Sequence, residues 1–179
     1  MKSTETSLPQ RGPELIAPAS TRLIILSFVL AVLLDLLPWP RAALWLVPDF
    51  PLMVLLYWNT HEPRRAPMWL AFLLGLLADV AHGVLLGLHA LAYVTASFGA
   101  LLVQRRLANF GPMGQAMQLA PILLGARLLV LVVGLAMSRG EVAWAYLAGG
   151  LAGALLWYPM CLLLNRVTGR PDEPPSPAS

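Results

Sequence analysis

The sequence predicts an all-α polytopic membrane protein: six transmembrane helices in one bundle, with both termini cytoplasmic. Three observations carry this. Only 12% of the 179 residues are charged and 58% are hydrophobic, where a soluble domain carries about 25% charged residues. The apolar residues come in long runs and not in the one-sided 3.6-residue pattern of a surface helix, so lipid is the expected solvent. Finally, the basic residues cluster between these runs, most of them on one side of the layout, as expected where they set the orientation of a chain crossing a bilayer.

The elements follow in order. Residues 1–20 are polar and Pro-containing and read as a disordered cytoplasmic leader. The first apolar run, 22–37, has no small-residue cleavage site after it and is expected to be an uncleaved helix. "PWPR" (38–41) stops it, because proline cannot continue the helical hydrogen-bond ladder. A second helix is expected over 48–60, "PDFPLMVLLYWNT", with Asp49 at its N-cap. "HEPRRAP" (61–67) then breaks the chain.

Residues 68–104 contain no Lys or Arg. One helix of about 37 residues would be roughly 55 Å long, against a hydrocarbon core of about 30 Å. The segment must fold back, and Gly83 and Gly87 supply the place. After "RRLANFGPMG" (105–114), the last two helices are expected over about 115–137 and 142–165, joined by "SRGE". The bundle thus covers 21–167, and 168–179 is a charged, Pro-rich tail, expected to be disordered and cytoplasmic.

Nine basic residues (Lys2, Arg11, Arg22, Arg64, Arg65, Arg105, Arg106, Arg166, Arg170) fall on one side of this layout. Only Arg41 and Arg139 fall on the other, so the first side is cytoplasmic. The net charge of +3 is spread in pairs between apolar runs and does not suggest a nucleic-acid partner. Cys161 stands alone, which excludes an intramolecular disulfide and a Cys-based zinc site.

Candidate site residues are the polar groups in or near the spans: Asp35, Asp49, Asp79, His82, His89, Gln115, Gln118 and Arg127. A charge at mid-span costs about 2.5–3.5 kcal/mol, so each needs a reason. No nucleophile constellation, metal spacing or phosphate loop accompanies them, and no cofactor is implied. Asp79, His82 and His89 would share one face of a continuous helix, as in a metal or proton site. The forced turn makes turn residues the preferred reading, ahead of a partner contact. Ala71, Gly75, Asp79 and Gly83 form a small-residue stripe, so Asp79 is expected to point into the bundle. Ala145, Gly149 and Gly153 repeat the spacing and are the candidate facing surface. Arg127 keeps its charge and is expected either to pair with an aspartate, Asp79 foremost, or to snorkel to an interface.

These segments together resemble the MreD family. "PWP", then "VPDFPLMVLLYW", then "GLLADVAHGVLLGLHALAY" occur in that family's order, and the likeness runs to "ALLWYP". Its most specific part is G-x-x-x-D-x-x-x-G-x-x-x-G-x-x-A-L, matched by Gly75, Asp79, Gly83, Gly87, Ala90 and Leu91. The resemblance implies a non-enzymatic scaffold of the bacterial elongation complex in the inner membrane. It would bind MreC and, through it, act with MreB, RodA and the elongation transpeptidase in lateral peptidoglycan synthesis. It also implies a fold similar to the substrate-binding subunits of energy-coupling-factor transporters. The alternative function is a small-molecule or vitamin-binding transporter subunit, with a pocket lined by Asp79, His82, His89 and Trp45.

Overall fold

The computed structural model describes residues 19–40, 43, 45–107, 109–137 and 144–170. The expected leader and tail therefore lie outside the described residues apart from residues 19–20 and 168–170, as do Lys2, Arg11, Arg41 and Arg139. Among the described residues there are six α-helices and no strand: α1 (Thr21–Asp35), α2 (Phe50–His61), α3 (Met68–His82), α4 (Leu88–Leu107), α5 (Pro112–Met137) and α6 (Ala148–Thr168). A 3-10 turn, Trp144–Leu147, leads into α6. The expected sixth helix thus begins six residues late, because the first part of its apolar run is taken up by that turn.

Each boundary has a local cause. Ser20 caps α1 by accepting from the Leu23 amide. Asp49 caps α2, with Oδ1 3.0 Å from the Leu52 amide, and Pro51 in the first turn has no amide to leave unpaired. α3 ends at Gly83, whose φ of +62° lies in the left-handed region that favours glycine. The chain re-enters helix through Gly87 at φ +98°. Gln115 closes the other end of α4, its amide reaching the carbonyls of Leu107 and Phe110.

α2 is the central helix. Leu52, Met53, Leu55, Leu56, Tyr57 and Trp58 are all buried, so it is apolar on every side because protein surrounds it on every side. α1, α4 and α6 pack around it, α3 forms a hairpin with α4, and α5 bridges α4 and α6.

Successive helices run in opposite directions, which gives the bundle two ends. At one end Glu62 gathers the chain. Its Oε1 accepts from the Ala19 amide at 2.8 Å and from Arg170, and its Oε2 lies 3.2 Å from Arg65. Arg65 in turn donates to the Ala19 carbonyl. The packed body therefore extends to Arg170, past the boundary at 167 expected from sequence. Glu62 was legible only as part of a charged break, because nothing in the sequence shows that both described ends of the chain meet there.

Helix lengths are unequal. α5 (26 residues) and α6 (21 residues) are long and apolar enough to cross a membrane. α1 and α3 have 15 residues and α2 has 12, so α2 rises about 18 Å. α4 has the length, but Gln104, Arg105 and Arg106 make its end polar.

Candidate functional site

The turn between α3 and α4 is built around Asp79, which is fully buried. Its Oδ1 accepts from the His89 amide at 2.7 Å and lies 2.9 Å from His89 Nδ1. Its Oδ2 accepts from the Gly87 amide at 2.8 Å and, more distantly, from Ala90 at 3.5 Å. The first amides of a helix have no partner within the helix, and here the carboxylate of the preceding helix supplies one. The negative charge also faces the positive end of the α4 dipole.

The glycines make that reach possible. A Cβ on Gly75 would lie 2.3 Å from the Ala90 Cα and 2.7 Å from the His89 carbonyl carbon. Gly75 thus lets α3 and α4 touch backbone to backbone one turn below Asp79. Gly83 and Gly87 have open space around them and serve through their positive φ.

The second small-residue series does not face the first. A Cβ on Gly149 would lie 2.8 Å from the Val47 carbonyl and 3.0 Å from the Arg127 guanidinium. Gly153 looks toward Leu123, Met53 and Pro48. These glycines let α6 approach α5 and the chain entering α2, while the α3 stripe packs on α4. Spacing identified two close-packed seams but not their partners.

Arg127 does not pair with Asp79. Its Nη2 donates to the Val47 carbonyl at 2.8 Å, and its guanidinium carbon lies 4.6 Å from the centre of the Tyr146 ring. It reaches a carbonyl and an aromatic face, and no carboxylate lies within 4 Å of it among the described residues.

Beside the Asp79 cradle, an open cavity of about 530 Å³ lies at this end of the bundle. Asp35, Asp49, His82, His89 and Arg127 line it together. Leu36, Leu37, Trp39, Trp45, Val84 and Val130 are among its apolar walls. Of the four residues expected around a pocket, His82, His89 and Trp45 are present. Asp79 is absent from the lining because the α4 amides enclose it.

His82 links two helix ends. Its Nδ1 lies 2.9 Å from the Ala78 carbonyl, which can only accept, so Nδ1 carries the hydrogen. Its Nε2 lies 3.5 Å from Asp35 Oδ2, a contact that is attractive only when one of the two carries a proton. The His82 and His89 rings stack with centroids 5.4 Å apart. Asp49 Oδ1 takes the Tyr93 hydroxyl as well as the Leu52 amide. Sequence reasoning named these residues but not Tyr93 or Tyr146, which sit in apolar runs with no positional signal of their own.

The family model "rod shape-determining protein MreD" matches residues 19–167. The rod shape-determining protein MreD of Haemophilus influenzae is 31% identical over 144 residues, which is 80% of this chain and 89% of that one. No solved structure matches the chain. The match spans all six helices and the Asp79 turn, and together with two membrane-capable helices it supports a membrane location. This chain belongs to the MreD family of rod shape-determining proteins.

Proposed function

We propose that this chain is a multi-pass scaffold of the bacterial inner membrane that binds MreC and helps position lateral peptidoglycan synthesis. On this reading MreB, RodA and the elongation transpeptidase act with it indirectly. The observation that carries the proposal is the family match over nearly the whole bundle. A scaffold needs faces for other helices, and the lipid-side surface offers exposed apolar residues such as Leu26, Phe98 and Leu155. The chain would cross six times, with residues 1–20 and 168–179 as cytoplasmic segments. The nine basic residues on one side support that orientation, as does the meeting of Ala19 and Arg170 at Glu62. Gly75, Asp79, Gly83, Gly87, Asp49, Arg127, Gly149 and Gly153 are proposed to fix the shape that the partner binds.

The test is depletion combined with crosslinking. Depleting the protein in its rod-shaped host should turn cells into spheres. Photoreactive residues scanned along each helix should give an MreC adduct on one face. Normal rods after clean deletion, with no paralogue present, would refute the proposal.

A second reading, a small-molecule or vitamin-binding transporter subunit, is favoured by the cavity alone. A water-soluble ligand that copurifies with the protein and raises its melting temperature would support it.

A further inference from the structure

The cavity holds charges of both signs that do not neutralise one another. Asp49 has no cationic partner within 4 Å among the described residues, Asp35 has only His82 at 3.5 Å, and Arg127 has no acidic partner. Asp35 Oδ1 and Asp49 Oδ2 receive no donor from the described residues, although both residues line the cavity. Among the described residues, two carboxylates face one guanidinium and His82, while the second histidine of the lining, His89, is engaged by the buried Asp79. The groups left to face a ligand therefore sum to between −1 and zero. Such a site repels a net anion and matches a ligand that itself carries one positive and one negative group.

The depth of the cavity says what kind of ligand reaches it. α1, α2 and α3, whose ends form its floor, are short. α5 continues past Arg127 through Leu128–Met137, about 15 Å further. That half of α5 is apolar, and Leu128, Val132 and Met137 are exposed. If α5 crosses the bilayer, the cavity lies below the hydrocarbon boundary, in a notch beside an apolar helix. A soluble solute would have to enter that notch through lipid, whereas a lipid is already there.

We propose that the cavity seats the headgroup of a zwitterionic, amine-bearing phospholipid of the phosphatidylethanolamine type. Its ammonium meets the open oxygens of Asp35 and Asp49, its phosphate faces Arg127, and its acyl chains lie along Leu128–Met137. About 530 Å³ falls within the usual range of ligand sites, about 300–1,000 Å³. The inference rests on the membrane-spanning reading of α5 but not on MreC binding, so each can fail without the other.

The test uses the full-length protein in detergent, offered equal amounts of phosphatidylethanolamine, phosphatidylcholine and phosphatidylglycerol with identical chains. Native mass spectrometry reads the lipid retained. Charge-assisted hydrogen bonds lead us to expect about tenfold preference for phosphatidylethanolamine over each competitor. Asp35→Asn should abolish the preference and Asp35→Glu should keep it, both eluting as monodisperse protein. A photoreactive residue at Trp45 should form a lipid adduct in membranes. Equal retention of the three lipids, a preference for phosphatidylglycerol, or an unchanged preference in Asp35→Asn would overturn the proposal. So would protein adducts without lipid adducts at Trp45, which would assign the cavity to a protein segment.

Discussion

Asp79 and Asp35 lie at the same end of the bundle, on helices of equal length, and the fold treats them in opposite ways. Asp79 is fully buried and takes three close donors, two of them the backbone amides of Gly87 and His89. Among the described residues Asp35 meets a single histidine, at 3.5 Å, and it lines an open cavity. A buried carboxylate with every oxygen satisfied holds structure, because removing it strands several donors at once. A carboxylate facing a cavity with an oxygen to spare contributes little to folding and remains available to a ligand. Sequence alone singled out Asp79 and read it as a turn residue; the geometry directs interest in a ligand to Asp35 and its neighbours instead.

Variants can break this comparison, beginning with the largest effect. Asp79→Ala should destabilise the protein by about 3–5 kcal/mol, because it leaves the start of α4 and His89 without their acceptor in a buried site. Denaturant titration in detergent reads the loss. Gly75→Ala comes next, at about 1–3 kcal/mol, because the new Cβ meets the α4 backbone at 2.3 Å and neither chain is free to yield. Gly83→Ala should cost about 1–2 kcal/mol through its left-handed φ alone, having open space around it. Asp35→Asn should change stability by less than about 0.5 kcal/mol. Gly153→Ala should be as mild, since its Cβ would make ordinary contacts at 3.6 Å. A Gly153 effect as large as that of Gly75 would show that the α5–α6 seam is as tight as the α3–α4 seam.

Much of the fold was legible for a simple reason. The length of 68–104 compels a turn, only Gly83 and Gly87 fit the conformations that turn needs, and prolines and Asp49 mark the other boundaries. The four-residue spacing correctly turned Asp79 inward. What it could not show was which helix each seam meets, since a small-residue stripe reports close approach without naming the neighbour. Arg127 illustrates the same gap. Its charge demanded a partner, and aspartates were the obvious candidates, but its partners are a backbone carbonyl, that of Val47, and the Tyr146 ring, neither of which carries a charge to reveal it. Glu62 was hidden differently: its partners, Ala19 and Arg170, stand at opposite ends of the described chain.

The most direct test of this account is hydrogen exchange at three amides, Gly87, His89 and Ala90, compared between the wild type and Asp79→Asn in the same detergent. If the aspartate of α3 holds the start of α4, these amides are protected in the wild type and exchange at least about tenfold faster in the variant. Leu52, capped by Asp49, should be unchanged. Equal protection of the three amides in both proteins would contradict the account.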